Sequence, residues 1–207
     1  MSEKSLSSSS VEFARCLSRL RNGDLSARNE ILDRAGDRLR CLARRMLRDF
    51  PGVRQWEETD DVCQNALIRL YRSLEHVVPD STAGLLRLAA RDIRCALIDL
   101  ARHYCGPQGA AAHHEDVTSI SRLAETISQP SGSSEPVLLS YWSEFHQRVQ
   151  EFPEELLQVF DLVWYQGLTQ EETAELLGIS ERTVQRRWRQ ACLDLHETLG
   201  GPPPGME

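Results

Sequence analysis

Residues 153–199 constrain the fold most, because their caps and apolar positions predict two helices joined by a tight turn. Thr169 and Glu172 have the spacing of a capping box, in which each residue satisfies a backbone group of the other. Gly178 can take the positive φ that ends the first helix, and Ser180 is a good N-cap for a second, longer one. The sequence therefore predicts a helix-turn-helix.

The second of these helices has an apolar side and a basic side. At about 100° per residue, four apolar residues share one narrow stripe: Val184, Trp188, Ala191 and Leu195. The candidate DNA contacts are the residues of the other side: Arg182, Thr183, Gln185, Arg186 and Arg189. This pattern is typical of a helix that enters the major groove of DNA. The alternative is a helical hairpin whose basic outer face only meets solvent.

The rest of the chain reads as all-α, because no useful strand alternation occurs. The pattern predicts helices over about 11–21, 25–49, from near Thr59, 82–104, 137–150 and 154–166, before the helix-turn-helix. Between them, 106–136 holds three Pro, three Gly and six Ser, which is typical of a flexible linker. We therefore expect two small helical domains, 11–105 and 137–199, with tails at 1–10 (disordered) and 200–207.

The helix predicted over 82–104 repeats the basic pattern. One face is apolar: Leu85, Ala89, Ile93, Ala96 and Leu100. The opposite face holds four arginines, which are a second set of candidate DNA contacts: Arg87, Arg91, Arg94 and Arg102. A solvated charged face is the alternative, but no acidic residue is interleaved on this stripe, and that favours contact with phosphates.

Composition narrows the class of protein. No apolar run approaches the length of about 20 residues that a membrane span needs, and the polar N-terminus lacks a secretion signal, so we expect a cytoplasmic protein. The six cysteines form no C-x-x-C pair and read as reduced thiols. His103, Cys105, His113 and His114 lack a recognisable zinc spacing. We expect no metal and no cofactor.

Charge is unevenly distributed. The net charge is −7, yet residues 1–105 carry 18 Lys or Arg against 15 acidic residues, whereas 137–207 carry five Arg against twelve acidic residues. A small basic patch on an acidic body predicts weak DNA binding by the chain alone, since that binding scales with the phosphates neutralised. We expect it to bind DNA within a larger assembly.

Two segments resemble the σ70 family of transcription initiation factors, in particular its small extracytoplasmic-function (ECF) type. DDVCQNALIRLYRSL (60–74), leading to LIDLARHY (97–104), resembles the second conserved region of that family. The segment 152–195, which includes the helix-turn-helix, resembles the fourth. Both segments occur in the family's order across a linker, which is more specific than either alone.

The resemblance implies roles that the residue pattern does not. It makes Asp61, Gln64 and Arg69 candidate contacts with core RNA polymerase. It assigns the arginines of 82–104 to the −10 promoter element and those of the last helix to the −35 element. Partners would be core polymerase, promoter DNA and, as an open question, an anti-sigma protein.

The chain departs from the family pattern in two places. Asn65 follows Gln64 where the family often has Glu, and no aromatic residue lies between Tyr71 and Tyr104 to assist strand opening. Strand opening would then depend on the loop 79–83 and the arginine stripe.

Two other classes of function are the alternatives to this one. The alternative to a promoter-specificity factor is a stand-alone helix-turn-helix regulator, which would need a dimer interface and a palindromic operator. An enzyme is poorly supported, because the chain has no glycine-rich phosphate loop and no Ser/His/Asp arrangement. The promoter sequence and the inducing signal are not encoded in any motif.

Overall fold

The computed structural model describes residues 3–47, 56–105 and 135–200, and across these ranges the chain is helical with no strand. The helices are α1 Glu3–Arg21, α2 Ser26–Leu47, α3 Trp56–His76, α4 Thr82–Cys105, α5 Glu135–Gln150, α6 Glu154–Phe160, α7 Gln170–Leu177 and α8 Glu181–Leu199. A π-helical turn, Asp161–Tyr165, continues α6. The all-α prediction is confirmed.

Helix α1 begins earlier than the sequence predicts. It starts at Glu3, so residues 3–10 are helical rather than the disordered tail expected there. No proline or glycine lies between Glu3 and Arg21, so nothing in this segment interrupts the helix once it has formed. At its other end, Gly23 takes a φ of 87° in the turn to α2.

Most apolar residues on the inner faces of α2, α3 and α4 are buried. They are Ile31, Ala35, Leu39 and Leu42 of α2, Ala66, Leu70 and Leu74 of α3, and Leu85, Ala89, Ile93 and Ala96 of α4. Leu67 of α3 packs against the same core while partly exposed. The side chains of Val62, Met46 and Leu100 lie outside the described residues.

Helix α4 is the centre of the molecule and is covered on several sides. It packs against α1, α3, α5, α7 and the π-helical turn. Its buried residues extend beyond the predicted stripe to Leu86, Ala90, Asp92, Arg94 and Ile98. Hydrophobic periodicity finds one apolar face, whereas α4 is enclosed by neighbours from both halves of the chain.

The segment after α5 differs in detail from the single helix predicted over 154–166. The helix α6 ends at Phe160, and the backbone then widens so that the Gln166 N–H donates to the carbonyl of Asp161, five residues back, at 3.1 Å. Gly167 follows with a φ of 68° and ends the turn. Helix α5 begins at Glu135, inside the predicted linker, because Pro136 is tolerated in a first helical turn.

Helices from both sides of 106–134 share hydrophobic clusters. One cluster joins Leu39, Ala66 and Ile93 with Phe145 and Leu195. Another takes in α1 to α4 together with Leu162 and Leu168. Most of the predicted linker, 106–134, and the predicted tail from 201 onward lie outside the described residues. The division into two domains stays a prediction. The described helices on the two sides of 106–134 are in contact with each other.

None of the described helices is long and apolar enough to cross a lipid bilayer.

Candidate nucleic-acid interface

Local caps build the pair α7 and α8 as the sequence predicts. The Thr169 hydroxyl accepts from the Glu172 N–H at 3.1 Å, and the Glu172 carboxylate accepts from the Thr169 N–H at 2.9 Å, which completes the capping box. Gly178 ends α7 with a φ of 65°. The Ser180 hydroxyl accepts from the Thr183 N–H at 3.2 Å and opens α8.

The two sides of α8 separate as predicted. Val184, Ala191 and Leu195 are fully buried, and Trp188 stacks on Phe160 with 5.4 Å between ring centroids. The polar side is exposed at Arg182, Gln185, Arg186 and Arg189. Among the residues that the structure describes, none forms an ion pair with these three arginines. The result is a basic face open to solvent.

Three neighbouring polar side chains on α8 are engaged within the protein. The Thr183 hydroxyl lies 2.8 Å from the Ser180 hydroxyl in the N-cap. Gln185 donates to the Glu181 carboxylate at 3.0 Å, a contact that an exposed side chain can exchange for a base edge. Arg187, the fourth arginine of the helix, pairs with Glu155 of α6 at 2.6 Å and is mostly buried. It therefore braces α8 against α6.

The four arginines predicted as a stripe on α4 are not equivalent. Arg91 is exposed and donates to the carboxylate of buried Asp92 at 3.2 Å. Arg87 is partly covered and forms an ion pair with Glu154 of α6. Arg94 is 2% exposed. Arg102 lies in α4, but its side chain is outside the described residues. Arg94 does not lie on an open face, because the π-helical turn covers it, and its predicted contact with DNA stays a prediction.

Arg94 and Asp161 form a buried ion pair. The Arg94 Nη1 donates to the Asp161 Oδ1 at 2.5 Å, and both side chains are almost fully enclosed. The guanidinium also lies 5.1 Å from the centroid of the Tyr165 ring. Burial raises the pKa of the Asp161 carboxyl, and the positive charge of Arg94 opposes that rise. Removal of either partner would leave an uncompensated charge in the core, which is strongly destabilising.

The buried side chain of His146 contacts Tyr165, the residue whose ring lies beside Arg94. The Nδ1 of His146 lies 2.7 Å from the Tyr165 hydroxyl, in an aromatic cluster with Trp142 and Trp164. Burial, with a smaller contribution from Arg94, lowers the pKa of His146 to about 3, so the ring is neutral near pH 7. Burial also raises the pKa of the Tyr165 hydroxyl. Both side chains therefore act as neutral hydrogen-bonding groups.

The predicted polymerase contacts lie along α3. Gln64 and Arg69 are exposed, and Arg69 forms an ion pair with Asp99 of α4. Asp61 lies in the same helix, but its side chain is outside the described residues. Nearby, Ile68 and Tyr71 are 41% and 39% exposed, unusually open for large apolar residues. They line an open groove of about 320 Å³ between α2 and α3.

No cluster of ligating residues suited to a metal ion occurs in the described part of the chain. Two of the four residues that lack a zinc spacing in the sequence, His103 and Cys105, lie in α4, but their side chains are outside the described residues. His113 and His114 fall outside the described residues.

Sequence reasoning missed the partners of the α4 arginines. Asp161 is the single charged residue in the otherwise apolar run VFDLVWY (159–165), and it is 2% exposed. A charge inside an apolar run indicates a buried residue that needs a partner, so the signal was present. Glu154 had no such signal, because it lies among the acidic residues usual at a helix N-terminus. The exposed Ile68 and Tyr71 were likewise not predicted.

A family model described as ECF sigma factor matches residues 10–200 of the chain. The match spans both arginine-bearing helices, α4 and α8, and the predicted linker between them. No curated protein matches the chain significantly.

Proposed function

We propose that this chain, which belongs to the ECF sigma factor family, binds core RNA polymerase and directs it to promoters whose −10 and −35 elements it reads. Members of this family act in transcription initiation and work with core RNA polymerase, promoter DNA and anti-sigma factors. The family is not one of enzymes. We place the action of this chain in the cytoplasm.

The exposed basic face of α8 carries the proposal. Arg182, Arg186 and Arg189 project from a capped helix whose opposite side is buried, so they can enter a major groove without unfolding anything. Arginine suits this role, since its planar fork matches the two acceptors of a guanine edge. We assign this face to the −35 element, with Gln185 as the further candidate for a base contact.

We assign the other two predicted surfaces, on α4 and α3, to separate ligands. We assign the arginines of α4 to the −10 element and the exposed side of α3, with Gln64 and Arg69, to core polymerase. Asp61 belongs to that polymerase surface by its position in α3. We also retain the division into an N-terminal domain over 11–105 and a C-terminal domain over 137–199, joined by the linker.

Run-off transcription tests the proposal. Purified chain is added to core RNA polymerase with genomic DNA, and the start sites are mapped. We expect transcripts that require the chain and share −10 and −35 sequences upstream of their starts. The control variant is Arg148→Ala on α5, which removes an exposed arginine whose partners, Glu144 and Glu151, lie on or just after the same helix. Transcripts should be unchanged by that control.

The same preparation separates this function from that of a stand-alone regulator. A regulator of that kind would bind a specific duplex tightly without polymerase. We expect the free chain to show no sequence-specific shift at physiological salt, because each half presents one short reading surface. Nanomolar specific binding by the free chain, with no effect on core polymerase, would overturn the proposal.

A further inference from the structure

The loop between α3 and α4, residues 77–81, is held in place by an arginine of α1. The Nη2 of Arg21 donates to the carbonyl of Pro79 at 2.6 Å, across 58 residues of sequence. Arg21 is the last residue of α1 and is exposed, and within the described residues no carboxylate pairs with it. The guanidinium therefore has the loop backbone as its partner rather than an acidic side chain.

The two ends of the loop are fixed by the helices that it joins. At the α3 end, the Val77 N–H donates to the Ser73 carbonyl at 2.9 Å. At the α4 end, the Ser81 hydroxyl accepts from the Gly84 N–H at 3.0 Å. Pro79, in the middle, is buried, and its ring restricts φ. The contact with α1 therefore fixes the carbonyl at the centre of the loop.

The loop presents side chains that suit unpaired bases. Val77 and Val78 are 57% and 41% exposed, and Asp80 is exposed as well. Apolar side chains inserted between bases can unstack them. The sequence predicts that strand opening depends on 79–83, and the two valines lie directly before that segment. The loop therefore combines a fixed backbone with exposed apolar side chains.

From these contacts we propose that Arg21 is a positioning residue for the −10 strand: it fixes the loop 77–81 in the conformation that meets unpaired bases, without contacting DNA itself. A flexible loop has to be ordered when it binds, and a contact made beforehand removes that entropic cost. A hydrogen bond from a charged donor is stronger than one between neutral groups, so a single contact can hold the loop. The inference rests on the proposed function, because that function supplies the DNA strand.

The first measurement tests the contact in the full chain without DNA. Arg21→Ala removes the donor at an exposed position, where folding is not at risk, and Arg21→Lys keeps a charged donor. Arg15→Ala is the matched control, because Arg15 is another exposed arginine of α1. Circular dichroism checks helical content. We expect hydrogen exchange in 77–81 to be faster in Arg21→Ala, closer to wild type in Arg21→Lys and unchanged in Arg15→Ala.

The second measurement uses holoenzyme assembled from core RNA polymerase and each variant. Its ligands are a single-stranded oligonucleotide carrying the −10 sequence mapped by run-off transcription, and a set with single base changes. We expect Arg21→Ala to bind the −10 strand about tenfold more weakly and to lose most of its preference over the changed strands, since ordering the loop becomes part of binding. Arg21→Lys should recover most of the loss, and Arg15→Ala should show none. Affinity for core polymerase should stay the same in every variant.

Unchanged hydrogen exchange in the loop of Arg21→Ala would overturn the contact as an anchor. Faster exchange with unchanged affinity and preference among the −10 strands would overturn the positioning role. An equal loss on every strand, with a weaker dependence on salt, would make Arg21 a phosphate contact instead. If wild-type holoenzyme supports no promoter-specific transcription, the proposed function fails, and the exchange measurement still decides whether Arg21 fixes the loop.

Discussion

The arginines of α4 and those of α8 are spaced alike along their helices but differ in what they contact. On α8, Arg182, Arg186 and Arg189 reach solvent, while on α4 the central arginine, Arg94, is buried against Asp161. The cause is position in the fold: α8 packs on α5, α6 and α7 through one side, whereas α4 is enclosed by helices from both halves. A basic stripe is therefore an available surface only where tertiary packing leaves that side of the helix open.

The two helices also differ in what stabilises them. The helix pair α7 and α8 has its own caps at Thr169, Gly178 and Ser180, so its geometry is largely local. Around α4, the polar contacts join residues that are distant in sequence, as Gln166 and Leu86 are. The same change of residue should therefore have different consequences in the two places.

Removing one partner of the buried pair should have the largest effect. We expect Asp161→Ala to lower the free energy of unfolding by about 3–5 kcal/mol, since it leaves the Arg94 charge buried and unpaired. Urea denaturation followed by circular dichroism measures this. The double variant Arg94→Met with Asp161→Leu should recover most of the loss, and Arg186→Ala should stay within about 0.5 kcal/mol of wild type. Equal losses of stability in Asp161→Ala and Arg186→Ala would contradict the comparison.

Substitutions on the exposed face of α8 should affect transcription strongly although they hardly change stability. We expect Arg186→Ala to reduce transcription from the cognate promoter about tenfold or more, because one arginine–guanine contact discriminates by about 1–3 kcal/mol. The loss should be confined to promoters with one particular −35 base, which a library of single-base promoter variants identifies. A uniform loss across the library would make Arg186 a phosphate contact, and the Arg148→Ala control should show no loss.

Low pH should destabilise the folded chain through the buried residue His146. The pKa of His146 in the folded chain, about 3, is below its ordinary value of 6.5. Between these values the unfolded chain binds a proton that the folded chain does not, so stability falls as pH decreases from about 6.5. His146→Gln should reduce that fall by about 1.4 kcal/mol per pH unit, measured by urea denaturation at pH 6, 5 and 4. An unchanged slope would mean that His146 is not buried as a neutral group.

The smallest effect should come from the local caps of the helix pair. We expect Thr169→Ala to lower the free energy of unfolding by about 1 kcal/mol, since it removes the side-chain acceptor for the first turn of α7. Thr169→Ser keeps that acceptor and should cost less. If both variants lost as much as Asp161→Ala, the pair α7 and α8 would depend on long-range packing as strongly as α4 does.

The sequence by itself determined the features that depend on neighbours three or four residues away. The capping box at Thr169, the positive φ of Gly178 and the buried stripe of Val184, Ala191 and Leu195 are all present in the structure. The ends of most helices were predicted within a few residues for the same reason, because caps and helix periodicity are local. The exposed face of α8 followed from that periodicity.

Only the tertiary structure decided what covers the polar side of a helix. Periodicity placed Arg94 opposite the apolar stripe of α4, but it cannot report that Asp161, 67 residues later, would pack against that side. The π-helical turn that presents Asp161 was equally unpredicted, and Gln166, which follows it, donates to the carbonyl of Leu86 in the other half of the chain. Pairing between distant residues is set by how whole helices pack, and a helical stripe specifies a direction without specifying a neighbour.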